Sequence, residues 1–247
     1  MNIRQYLDST YLKTAAQAGL SEADNTIVVT DCIQEAIDEN FKLIMIRPDQ
    51  VVLAKQMIVN SRSGVQVGTV IDFPKGQSGL EEKLAEAALA IENGADELDF
   101  VCDYESFKAG NTELVKNEVV QGTKLGLENG KIVKWIIEVA ALNDKQIIQI
   151  ATLIKNCIIS NFEEDQYCSV FVKSSTGFYK TEDGLPNGAT VPTIIMMLEN
   201  ASPLPVKAAG GVRTYAEAKE MISLGVKRIG TSGAKAIANG AVTESEY

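Results

Sequence analysis

Residues 66–102 read QVGTVIDFPKGQSGLEEKLAEAALAIENGADELDFVC. Gln66–Ile71 is rich in β-branched residues and predicts a strand. Leu80–Asn93 is rich in Ala, Leu and Glu, carries apolar residues at helical spacing, and stops at Gly94. Glu97–Cys102 predicts a second strand. The stretch is one strand–helix–strand unit, and repetition of such units builds a mainly parallel sheet.

The same alternation continues in both directions. Ile3–Leu7, Lys42–Ile46, Ile132–Glu138, Ser169–Lys173, Pro205–Lys207 and Arg228–Gly230 predict further strands, eight in all. Asp24–Asn40, Asp144–Cys157 and Ala216–Leu224 predict helices between them. Thr214 and Glu217 have capping-box spacing ahead of the last helix, and Gly225 ends it. Eight units argue for an α/β fold closed as a TIM (β/α)8 barrel, with residues 1–247 as one domain. An open doubly wound sheet is the alternative, but no G-x-G-x-x-G follows the first strand.

Composition narrows the function. A net charge of −10 repels a phosphate backbone, so no nucleic-acid partner is expected. The N-terminus is polar, and no apolar run approaches the ~18 residues of a membrane span, which predicts a cytoplasmic protein with no membrane partner. Cys32, Cys102, Cys157 and Cys168 form no C-x-x-C pair and are expected to be free thiols. The chain has no histidine, which removes His-dependent triads and His-ligated metals, so no metal site is expected.

In a TIM barrel, functional groups gather at the C-terminal ends of the strands. Here these ends read VIDFPKG, ELDFVCDY, FVKSSTGF, VKAAGGVRT and RIGTSG. Lys173 ends an apolar run, where partial desolvation disfavours the ammonium form and frees an amine to attack a carbonyl. Position alone fits a salt-bridged lysine equally well. Lys207 ends the next strand in the same way, and adjacent strands lie ~4.8 Å apart. Two ammonium groups so placed repel, and one tends to lose its proton. Asp99 alternates with Leu98 and Phe100 and should face the interior as the acid between them, or in a structural ion pair with a lysine such as Lys134. Ser175-Thr176-Gly177, Gly210-Gly211 and Gly230-Thr231-Ser232-Gly233 follow strands six, seven and eight, where glycine turns and helix N-termini make an anion cradle, although tight turns need glycine anyway. Arg213 is expected to face solvent.

With these motifs in place, the chain resembles the deoxyribose-phosphate aldolase family along essentially its whole length. FVKSSTGF looks like the family's Schiff-base segment and VKAAGGVRT like its second-lysine segment. GADELDF resembles the acid-bearing strand, TVIDFPKG the third-strand loop, VKWIIE the fifth strand and RIGTSG the last phosphate loop. The resemblance implies reversible cleavage of 2-deoxy-D-ribose 5-phosphate to D-glyceraldehyde 3-phosphate and acetaldehyde, with no cofactor. Lys173 would form the Schiff base, with Asp99 and Lys207 as a proton relay. Thr176, Gly177, Gly210, Gly211, Ser232 and Gly233 would hold the phosphate, and Asp8 and Thr10 would lie near the substrate. Tyr247 looks like a C-terminal tyrosine that assists proton transfer in some members. The family also implies a homodimer or homotetramer. Ser9, Met45 and Gly233 depart from residues common in the family, where histidine, cysteine and serine are frequent. The rivals are another lysine aldolase, a phosphate-binding isomerase on the same barrel, and a catalytically silent sugar-phosphate binder.

Overall fold

The computed structural model describes residues 2–182 and 185–241. Eight parallel strands close into a barrel in sequence order. They are β1 (Leu7–Thr10), β2 (Leu43–Ile46), β3 (Gln66–Ile71), β4 (Glu97–Val101), β5 (Ile132–Ile136), β6 (Val170–Lys173), β7 (Val206–Ala209) and β8 (Arg228–Thr231). The helices are α1 (Ala15–Ala18), α2 (Glu22–Asp38), α3 (Val51–Asn60), α4 (Leu80–Glu92), α5 (Tyr104–Lys108), α6 (Thr112–Glu128), α7 (Asp144–Asn161), α8 (Val191–Ala201), α9 (Tyr215–Leu224) and α10 (Ala234–Ala238). β1 closes the ring by pairing with β8, Asp8 opposite Gly230.

The predicted strand–helix–strand unit is present with β3 as expected and β4 one residue shorter. Capping chemistry fixes several helix starts. Ser21 accepts from the Asp24 N–H and so begins α2 two residues before the predicted start. Thr214 and Glu217 form the expected capping box at α9, and Gly225 closes that helix in the left-handed region.

The first strand differs from expectation. Ile3–Tyr6 is a 3-10 turn capped by the Asn2 side chain, and the strand is Leu7–Thr10. Ile3 and Leu7 both enter the core outside the barrel, while Asp8-Ser9-Thr10 supplies the strand. Those polar residues carry little strand propensity; pairing on both edges decides their conformation.

Alternation along each strand sorts residues between two cores. Leu7, Ile44, Val67, Leu98, Phe100, Val133, Trp135 and Val172 face the helices. Leu43, Met45 and Val70 cluster together inside the barrel, with Leu12, Phe73 and Phe178 above them. Gly122 and Gly126 let α6 lie close on β5, because a Cβ at Gly122 would meet Trp135 at 2.9 Å and one at Gly126 would meet Val133 at 2.2 Å. The four cysteines are free, as expected.

Candidate active site

The barrel interior is divided by chemistry. The β2–β3 side is apolar, built from Leu43, Met45 and Val70. The other side holds seven buried charged groups in one connected network. Asp99, on β4, sits at its centre. Its Oδ1 accepts from Lys134 at 2.6 Å, and its Oδ2 accepts from Lys173 and from Lys207, each at 2.8 Å. Lys134 also reaches Glu97 Oε2 at 2.5 Å. Lys207 reaches Asp8 Oδ2 at 2.6 Å. Arg228 closes the circuit, with Nη1 2.9 Å from Glu97 Oε1 and Nε 2.7 Å from Asp8 Oδ1.

The charges in this network do not balance. Lys134, Lys173, Lys207 and Arg228 face three carboxylates, Asp8, Glu97 and Asp99. Buried charge without a partner is costly, and the least expensive adjustment is for one cation to shed a proton. Lys173 is best placed to do so. It ends β6 and has a single carboxylate contact, whereas Lys134 and Lys207 have two each. Burial is the largest influence on its amine and pulls it down. Asp99 pulls it up, and Lys207 and Lys134 push it down again, leaving it at about 8 against an ordinary 10.5. Desolvation therefore leads and the neighbouring cation assists, a reversal of the emphasis that the lysine pair suggests in the sequence.

Lys134, Asp99 and Asp8 stay charged. Burial opposes the Lys134 ammonium, but Asp99 and Glu97 outweigh it and hold that group above its ordinary value. Burial likewise opposes the Asp99 carboxylate, but Lys134, Lys173 and Lys207 hold it well below the ordinary range. Asp8 is lowered too, with Arg228 and Lys207 overcoming its burial. The arrangement thus presents an amine that sheds its proton far more readily than an ordinary lysine, beside an ionised acid and a second amine on the same oxygen. An amine so placed can add to an aldehyde, and the acid beside it can pass protons.

Of the residues singled out from the sequence, Lys173, Lys207, Asp99 and Asp8 meet in direct contact. Asp8 lies within the ion network and is fully buried. Thr10 donates its hydroxyl to the Asp8 carbonyl at 2.8 Å. Thr176 and Gly177 are turned inward: the Gly177 N–H donates to Ser175 Oγ at 2.9 Å, and the Thr176 side chain and N–H bond Glu138. Gly210 and Gly211 both have positive φ, and Gly210 lies against the Gly188 backbone, where a Cβ would come within 3.0 Å. Ser232 and Gly233 follow β8, with the Gly233 N–H donating to Thr231 Oγ1 at 3.1 Å. Arg213 is exposed, as expected. Tyr247 lies outside the described residues.

Three participants were not singled out for the site, Glu97, Arg228 and Glu138, while Lys134 was considered only as a partner of Asp99 and Ser175 only as part of the cradle after strand six. Glu97 lies two residues before Asp99 and Arg228 two before Gly230, so strand alternation marks both as inward-facing.

The DeoC/LacD family aldolase model matches residues 12–243. The chain belongs to this aldolase family. It is similar to the deoxyribose-phosphate aldolase of Thermococcus kodakarensis, with 37% identity over 243 residues and 98% of each chain covered. Similarity to the Streptococcus gordonii deoxyribose-phosphate aldolase is 33% over 249 residues, covering 100% of both. Among solved structures, a deoxyribose phosphate aldolase from Aeropyrum pernix, described as a unique tetramer, superposes with a TM-score of 0.75 at 30% identity. That match covers 96% of this chain and 89% of that one. The aldolase is therefore a lyase on a TIM barrel.

Proposed function

We infer that this aldolase cleaves 2-deoxy-D-ribose 5-phosphate reversibly to D-glyceraldehyde 3-phosphate and acetaldehyde, with Lys173 as the Schiff-base nucleophile. The observation that carries the reading is the uncompensated cation of the barrel interior, together with the lowered Lys173 amine. The neutral amine adds to the open-chain aldehyde at C1, and loss of water gives an iminium ion. The C3 hydroxyl is deprotonated and the C2–C3 bond breaks, its electron pair passing into the iminium to leave an enamine. Protonation at C2 and hydrolysis release acetaldehyde and restore the amine. Asp99 and Lys207 share one oxygen beside the reacting nitrogen and are the groups in reach to move these protons. The apolar side, with Phe73 packed edge-on to Phe178 at 5.0 Å, suits the unsubstituted carbons of the substrate.

The loops after β6, β7 and β8 are the proposed phosphate site, with Thr176, Gly177, Gly210, Gly211, Ser232 and Gly233 as its residues. Tyr247 is proposed to assist proton transfer. We take residues 1–247 as one catalytic unit, working as a homodimer or homotetramer in the cytoplasm. Four free thiols agree with a reducing compartment, and the tetrameric description of the Aeropyrum pernix relative agrees with self-association. Analytical ultracentrifugation reads the assembly directly.

The test of the reaction is borohydride reduction in the presence of acetaldehyde, followed by mass-spectrometric mapping. The expected product is an ethyl adduct on Lys173. An adduct on another lysine, or none while the protein interconverts a sugar phosphate, would assign the nucleophile or the reaction elsewhere.

A further inference from the structure

Glu138 stands two residues past the end of β5 with φ +54, a left-handed conformation that glycine favours. It is 1% exposed. Among the described residues its carboxyl group forms no ion pair; its recorded partners are the hydroxyls of Ser175 and Thr176 and the Thr176 N–H. An ionised carboxylate buried without a cation is expensive.

The hydrogen count around Ser175 goes further. Its Oγ lies 2.7 Å from Glu138 Oε1 and 2.7 Å from the Asn187 carbonyl oxygen, and it accepts the Gly177 N–H at 2.9 Å. A serine hydroxyl has one hydrogen and two lone pairs. The Asn187 carbonyl has no hydrogen to offer, so that contact needs the serine's. The contact with Glu138 Oε1 then needs a hydrogen from the glutamic acid. With that proton in place the set is satisfied: Glu138 Oε1–H donates to Ser175 Oγ, and Ser175 donates to the Asn187 carbonyl. Glu138 Oε2 meanwhile accepts from both Thr176 groups. With Glu138 ionised, two acceptors compete for one hydrogen.

We propose that Glu138 is a neutral carboxylic acid and a positioning residue, joining the two ends of the β6–α8 loop, at Ser175 and Asn187, into one fixed surface. The loop begins one residue after Lys173, and the backbones of Ile137 and Val139 bond the carbonyls of Lys173 and Ser174 at 3.0 and 2.9 Å. Asn187 adds a second tie by donating to the Gly177 carbonyl at 3.3 Å. The titratable groups that face Glu138 are Lys173 on β6 and Tyr104 on α5. Burial raises the carboxyl above its ordinary value despite the hydrogen bonds from Thr176 and Ser175 and the pull of Lys173.

The proposal rests on the loop lying at the phosphate end of the substrate, and the test separates the two ideas. Glu138→Gln supplies an amide N–H to Ser175 and a carbonyl to Thr176, the pattern of the neutral acid. KM for deoxyribose 5-phosphate should stay within about twofold of the parent in Glu138→Gln. It should rise by about tenfold or more in Glu138→Ala, with a smaller fall in kcat. Infrared spectroscopy at neutral pH should show a protonated carboxyl C=O stretch in the parent that Glu138→Gln lacks. That reading needs no turnover, so an inactive parent overturns the assigned reaction and leaves the proton on Glu138 to be judged by the spectrum. If Glu138→Ala does not fold, Glu138→Gln and the spectrum still decide. No such band, or a Glu138→Gln enzyme with KM raised tenfold, overturns the proposal.

Discussion

Lys173 and Lys207 stand opposite each other in register on β6 and β7, and each places its nitrogen 2.8 Å from the same oxygen of Asp99. One carboxylate oxygen serves two amines, and all three groups are buried. Asp99 also holds Lys134, so three amines share one acid, and for Lys173 it is the single carboxylate partner among the described residues. Among the described residues, the network carries four potential cations against three carboxylates. A proton on Lys173 is the surplus charge, and the value of about 8 for that amine expresses it.

The first prediction concerns pH. Borohydride trapping of acetaldehyde should speed up as pH rises and level off above a midpoint near 8, set by the Lys173 amine. The same shift affects stability. Folded Lys173 holds its proton more weakly than an unfolded lysine at 10.5, so the unfolded chain binds more protons between about 8 and 10.5. This group's contribution to stability therefore grows with pH across that window. A trapping rate that is flat from pH 6 to pH 9, a range of about three units spanning the shifted amine, would contradict the assignment.

Charge balance makes a second prediction, which distinguishes crowding from chemistry. Lys134 and Lys207 both push the Lys173 proton off. Lys134→Met leaves three cations against three carboxylates, so Lys173 should hold its proton more firmly. The trapping midpoint should move alkaline by about one unit, equivalent to roughly tenfold slower trapping at neutral pH. Lys207→Met should shift the midpoint in the same direction. It should also lower the plateau of the cleavage rate, because Lys207 is in reach of the reacting nitrogen's acid. Lys134 is bound to both Glu97 and Asp99, so its loss should also cost about 3–5 kcal/mol of stability in chemical denaturation.

A third prediction separates two consequences of one change. Asp99→Asn removes the acid that favours the Lys173 ammonium, so the amine should be more neutral and trapping at pH 7 should not slow. Cleavage should fall about 10²–10⁴-fold, the usual contribution of a general acid–base group. Stability should drop, since three buried amines lose a shared counter-ion. Turnover like that of the parent would remove Asp99 from the relay and leave it only a structural task.

Much of this architecture was legible because strand alternation is a strict geometric rule. β3 was read at its observed bounds, and Lys173, Lys207 and Asp99 fall on inward positions of their strands. β1 was misplaced because Asp8-Ser9-Thr10 looks like a turn until its neighbours on both edges are known. Glu97 and Arg228 obey the same alternation, but their meeting depends on closure of the barrel, joining residues 131 positions apart. Glu138 was hidden for another reason. Its left-handed backbone ends the alternation, so no strand pattern indicates where its side chain points. The direction of the Gly177 N–H, onto Ser175, depends on that same turn.

The last prediction tests the packing that holds the charged strands in place. Gly126 lies in α6, where alanine would ordinarily be better by about 0.8–1.0 kcal/mol. A Cβ there would meet Val133 Cγ2 at 2.2 Å, and Val133 is fully buried on β5, next to Lys134. Valine is stiff about χ1, so relief requires the helix or the strand to move. Overpacking of this kind costs about 1–3 kcal/mol, which outweighs the propensity gain. Gly126→Ala should therefore destabilise the fold by up to about 2 kcal/mol, the remainder after the two terms oppose. Gly64 provides the contrast, because its added Cβ would meet nothing within 4 Å and its φ is not positive. Gly64→Ala should be neutral, or stabilising by about 0.4–1 kcal/mol through the unfolded chain. Urea denaturation of the two variants side by side gives the comparison, and equal midpoints would mean that α6 does not rest on β5 as closely as Gly126 indicates.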